Sequence, residues 1–137
     1  MANSQTAFLE RSRVPDRPQL QEELKRLKCR LGIDESWVPF ECSGYIPCTL
    51  DGEDAGFEIR FEDGSSRLAA PLSDQAGNRD AALVFRWGGD PRERASALIV
   101  CAALSHGFDA LILRQGEEAF RASPLDEARK AFEQLQE

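Results

Sequence analysis

Four cysteines, one histidine and a Gly-Gly-Asp turn are the residues of this 137-residue chain whose types could carry chemistry. A metal site would need ligand pairs at fixed spacing. Cys29, Cys42, Cys48 and Cys101 contain no C-x-x-C step, however, and His106 is the single histidine. No metal and no cofactor is expected. For nucleophilic catalysis Ser105 precedes His106, yet consecutive helical residues point to different faces, so a triad would have to be assembled from distant positions. Gly88-Gly89 ahead of a helix could cradle a phosphate on free amides. The Lys-Ser/Thr of a P-loop and the third glycine of a dinucleotide fold are missing, and Asp90 puts its own carboxylate where a ligand's charge belongs. Asp90 reads instead as an N-cap, with Pro91 at the first helical position and Glu93 closing a capping box. His106 stands where it would cap the last carbonyls of that helix, and Cys101, among Ile99, Val100 and Ala102, reads as a small core residue. No catalytic residue emerges, and the chain is expected not to be an enzyme.

Charge is more informative. Asp51, Glu53, Asp54, Glu58, Glu62 and Asp63 face the single cation Arg60 within 51–63, and this run supplies most of the chain's formal −7. An acid excess with pI near 4.8 lacks the basic footprint of a nucleic-acid binder or of a protein attached to an anionic membrane surface. Alternation in Phe57–Phe61 directs Glu58 and Arg60 to solvent, with Glu62 continuing that face. Such a run either blunts the edge of a hairpin and aids solubility, or offers a docking face to a basic protein. A carboxylate pair for glycoside hydrolysis would want an aromatic sugar platform beside it, which the run lacks. Trp87 adds an aromatic that could anchor an interface from the core margin.

The elements that must hold these groups follow from periodicity. Residues 1–18 are polar and proline-bearing and read as a flexible arm; 19–137 read as one α+β domain. Leu20, Leu24, Leu27 and Leu31 predict a helix from Gln19 to near Gly32, followed by a short helical turn over 33–38. Strands are predicted at 45–50, confined to an edge or an irregular start by Pro47, at 57–61 after an Asp51-Gly52 turn, and at 81–87, central and buried on both faces. A helix from Pro91 should stop at Gly107 in a left-handed cap, with a strand at 109–114 and a last helix after Ser123-Pro124. Strand 81–87, helix 91–106 and strand 109–114 could form a right-handed crossover with parallel strands. The sum is two layers, helices on a mostly antiparallel sheet of about four strands. Phe57, Ile59, Phe61, Leu83, Phe85, Leu98, Ala102, Leu111 and Leu113 are the expected core. Ala7-Phe8-Leu9 is too short an apolar cluster for a signal or a membrane span, so a cytoplasmic location with reduced thiols is expected.

Gly44-Tyr45-Ile46-Pro47-Cys48, Leu50-Asp51-Gly52-Glu53 with Gly56-Phe57-Glu58, and Phe85-Arg86-Trp87-Gly88-Gly89-Asp90 with the alanine-rich helix behind it resemble the small acidic immunity proteins of bacterial polymorphic and type VI secreted toxins, over roughly residues 37–113. The polar, proline-bearing start and the Arg114-Gln115-Gly116 ending of the last strand depart from that pattern. The resemblance implies a one-domain inhibitor that binds a cognate toxin domain, often across its active site, and performs no chemistry. Nucleic acid, membrane and small-molecule substrate are not expected partners. Its contact residues would be Asp51, Glu53, Asp54, Glu58, Glu62, Asp63 and Trp87. An adaptor or chaperone-like module of a secretion system would share the small acidic domain but bind a transport component. A small enzyme would show a concave pocket with convergent polar groups.

Overall fold

The computed structural model describes residues 3–41, 44–63, 68 and 72–135, without the side chain of Asp63. Elements run in the order β1 (Ser4–Leu9), α1 (Arg17–Arg26), β2 (Leu31–Ile33), β3 (Gly44–Leu50), β4 (Glu53–Asp63), α2 (Leu72–Ala76), β5 (Ala81–Arg86), α3 (Pro91–Phe108), β6 (Leu111–Arg114) and α4 (Pro124–Gln134), with a 3-10 turn over Arg11–Arg13. The fold is α+β. Its sheet has six strands rather than about four, ordered β2-β3-β4-β5-β1-β6 with every neighbouring pair antiparallel.

The two additional strands overturn two expectations. Residues 4–9 are no arm: β1 lies between β5 and β6, pairing Ala7 with Leu83 on one side and with Ile112 on the other. Its inward set begins with Gln5, a polar residue that is 2% exposed. Arg114 satisfies the oxygen of that amide through two hydrogen bonds to Oε1, at 2.9 and 3.1 Å, and itself pairs with Glu127 of α4. Leu31 belongs to strand β2, not to the first helix, and the expected helical turn over 33–38 begins inside that strand. Helix α1 ends earlier in a Schellman motif: Cys29 N donates to Leu24 O and Lys28 N to Lys25 O, while Lys28 takes φ 60°. The helix also starts earlier, at a capping box in which Asp16 accepts from Gln19 N and the Gln19 side chain accepts from Asp16 N.

Other expectations need smaller changes. Strand β3 is interior, and Pro47 is tolerated because its missing N–H faces β2 just past the last ladder pair, Ile33 with Cys48. Asp51 and Gly52, both at positive φ, form the two-residue turn between β3 and β4. Strands β5 and β6 do run parallel, but β1 lies between them, so they are not partners. Asp90 caps Arg92 N at 2.8 Å, whereas Glu93 accepts from Gly88 N and not from the cap residue. Helix α3 passes through Gly107 and ends with Asp109 at φ 60°.

Alternation sorts the sheet into two faces. One carries Ala7, Leu9, Ile46, Phe57, Ile59, Leu83 and Phe85, all in a single buried cluster with α1, α3 and α4. Ala95 to Leu104 of α3 are buried without interruption, since the sheet lies beneath this helix and α1 and α4 pack against it. In β6 the buried residue is Ile112; Leu111 and Leu113 are half-buried on the opposite face, and Phe61 is likewise only partly buried at the cluster margin. A four-residue apolar run does not fix its own phase. The pairing of Ile112 with Ala7 does.

Candidate partner-binding face

Both edges of the sheet are occupied. On β2 the Gln21 side chain of α1 donates to Leu31 O (2.8 Å) and accepts from Ile33 N (2.9 Å), and Arg17 Nε donates to Ile33 O (2.6 Å). Those groups face away from β3, so α1 side chains stand in for a neighbouring strand. On β6 the following loop returns, with Arg121 N donating to Ile112 O (2.7 Å) and Glu117 N to Arg114 O (3.0 Å). A partner that adds a strand meets no open ladder at these positions.

The second face of the sheet is open over β3 and β4. Register places three rows across it: Tyr45, Glu58, Arg86 and Ser4; Arg60, Val84, Thr6 and Leu113; Glu62, Ala82, Phe8 and Leu111. Phe8, Ala82 and Val84 are buried in the middle, where Phe120 meets Phe8 edge-on with ring centroids 6.2 Å apart. Toward β3 the covering ends. Tyr45 is 50% exposed, and Pro47, Thr49, Asp54 and Glu58 are exposed around it.

Tyr45 is fixed in place. Its hydroxyl donates to Ala55 O at 3.1 Å, and a Cβ at Gly56, which sits at φ 155°, would collide with the phenol ring. The absent side chain thus lets the ring lie flat over β4, with Asp54 and Glu58 two residues to either side on the same face. Burial of the phenol, with Glu93 and Asp90 close by, raises its pKa above the ordinary tyrosine value. The hydroxyl therefore stays protonated, and the ring remains a neutral π surface flanked by two carboxylates. That arrangement suits an ammonium or guanidinium group.

The structure divides the six carboxylates singled out by sequence. Asp51 pairs with Arg30 at 3.3 Å, Glu53 lies toward the helix layer and pairs with Arg92 of α3, and Glu62 pairs with Arg60 at 3.3 Å. Asp54 and Glu58 remain as the carboxylates of the run beside Tyr45 on the open face, with Arg86 opposite Glu58 in the register. The Asp63 side chain lies outside the described residues. Trp87 is 7% exposed and belongs to the core, so it offers no anchor; Tyr45 is the exposed aromatic instead. Sequence reasoning missed Tyr45, although an aromatic one strand across from a glycine was a signal within reach. His106 stands in the last turn of α3 as expected, but its partner is a side chain: its Nδ1 lies 2.9 Å from Glu23 Oε2 on α1.

Cys29, Cys48 and Cys101 are free thiols, and Cys42 lies outside the described residues. Among the described residues no group of three His, Cys, Asp or Glu side chains is placed to hold a metal ion, and no helix is long and apolar enough to cross a membrane. Comparison of the chain with protein-family models, curated proteins and solved structures gives no match.

Proposed function

We propose that this chain is an immunity-type binding protein that neutralises a protein toxin by docking the open half of its sheet, the Tyr45 face of β3 and β4, over a basic site. The observation that carries the reading is Tyr45 pinned flat over Gly56 between Asp54 and Glu58. A rigid aromatic anchor loses little entropy on binding, and paired carboxylates beside it add orientation and a faster encounter with a cationic surface. The closed edges of β2 and β6 favour face docking over strand addition. The chain's formal charge of −7 supports steering toward a basic partner.

The test is to express the genes adjacent to this one for a toxic domain and to co-express any such domain with this chain, joined to binding kinetics on purified proteins. Wild type should protect. Tyr45→Ala should weaken binding about 30-fold or more, mainly through faster dissociation. Asp54→Lys with Glu58→Lys should slow association and reverse its salt dependence. Full protection by both variants, with circular dichroism confirming the fold, would move the interface off this face. Absence of protection by wild type would end the immunity reading.

A further inference from the structure

A crevice of about 110 Å³ opens where the turn after α1 meets α3 and α4, on the helical side of the molecule. Leu27, Ile99 and Ala128, all buried, form its apolar wall together with the partly buried Phe132. Lys28, Arg30 and Arg129 also line it, against the single acid Glu133. This is a local reversal of sign in a chain of formal charge −7. Arg30 is shared with Asp51 at 3.3 Å, whereas Lys28 and Arg129 make no ion pair among the described residues.

Lys28 occupies the left-handed position of the Schellman motif, φ 60°, where glycine is the residue of least strain. A side chain stands there despite the strain of the left-handed backbone, and it is one of the cations that line the crevice. An apolar wall below two cations without ion pairs suits a molecule with a short hydrocarbon tail and one negative end. The volume is below the ~150 Å³ that accommodates a benzene ring, so the tail is limited to about four or five carbons.

We propose that this crevice is a binding site for a small monocarboxylate, its tail against Ile99, Ala128 and Phe132 and its carboxylate held by Lys28 and Arg129. The site is separate from the Tyr45 face and stands independently of the immunity reading.

Pentanoate is the probe, with pentan-1-ol as the uncharged match and pentylamine as the reversed charge, each titrated into the full chain and followed by NMR. Pentanoate should shift the Ile99 and Ala128 resonances, bind at least tenfold more tightly than pentanol, and slow alkylation of Cys29, which lines the same crevice. Pentylamine should leave these resonances in place. Lys28→Gly relieves the left-handed strain, so its melting temperature should equal or exceed that of wild type while pentanoate affinity falls. Combined with Arg129→Gln the loss should reach tenfold, and Glu133→Gln should tighten binding. Equal affinity for pentanol and pentanoate, unchanged affinity in the folded double variant, or shifts centred elsewhere would overturn the proposal.

Discussion

Glu23 of α1 and His106 of α3, 83 positions apart in sequence, meet with Oε2 2.9 Å from Nδ1, and the Glu23 side chain is 4% exposed. Arg26 Nη1 adds a contact to Oε1 at 3.0 Å, so both oxygens of this buried carboxylate are engaged. Gly107 makes the approach possible. A Cβ there would stand 2.6 Å from Glu23 Cδ. Gly107→Ala therefore sets helix propensity, about 1 kcal/mol in favour of alanine, against overlap with a packed side chain. Overlap should win, with a net loss of about 1–3 kcal/mol in urea denaturation. In a Glu23→Ala background the same substitution should become neutral or stabilising, and a loss of equal size in both backgrounds would show that the clash lies elsewhere.

Gln21 guards the β2 edge through Leu31 O and Ile33 N. Gln21→Ala leaves both backbone groups facing solvent on a strand whose alternate side chains are buried. A stability loss of about 1–2 kcal/mol is expected, from two hydrogen bonds each worth about 1. Concentration-dependent association should appear at the same time, measured by light scattering after size-exclusion chromatography. A variant no more associated than wild type at high concentration would mean that the edge is protected by other means.

Burial pushes the Cys48 and Cys101 thiols up to about 12, and raises Cys29 as well despite the nearby Arg129. A raised folded-state pKa means that the fold favours the neutral thiol, whereas the unfolded chain releases the proton near pH 9. The stabilisation is complete below pH 9 and is lost as pH rises from there toward 12. Thermal stability should fall across this window, less steeply in Cys101→Ala. Alkylation at pH 8 should leave Cys48 and Cys101 unmodified until denaturant is added, as peptide mass spectrometry would report.

Leu98→Ala opens a cavity under α3 at a residue that is 2% exposed, and should lower stability by about 2–5 kcal/mol. Leu111→Ala, on the half-buried opposite face, should lower it by clearly less. Similar losses at the two positions in denaturant unfolding would place Leu111 in the core after all.

What the sequence determined alone is what local chemistry decides. Asp51-Gly52 predicts a tight hairpin turn because two adjacent positive φ values favour such residues, and the turn is there. Asp90-Pro91 starts α3, strict alternation sends Phe57 and Ile59 inward, and the uninterrupted Leu83-Val84-Phe85 run is buried on both faces. Each of these signals lies within a few residues.

Tertiary structure decided whatever depends on a partner distant in sequence. β1 carries a polar residue on its buried face, and Arg114, 109 positions away, makes Gln5 tolerable there by donating twice to its Oε1. Three-residue β2 exists because β3 and the side chains of α1 complete its hydrogen bonds from both sides. Gly107 resembles a cap, but its role is set by Glu23. The acidic run reads as one face, yet Asp51, Glu53 and Glu62 each meet an arginine, two of them from other elements, while Asp54 and Glu58 stay beside Tyr45 on the open sheet. Charge counted along a chain takes no account of direction, whereas alternation and packing assign every carboxylate to a face and to a neighbour.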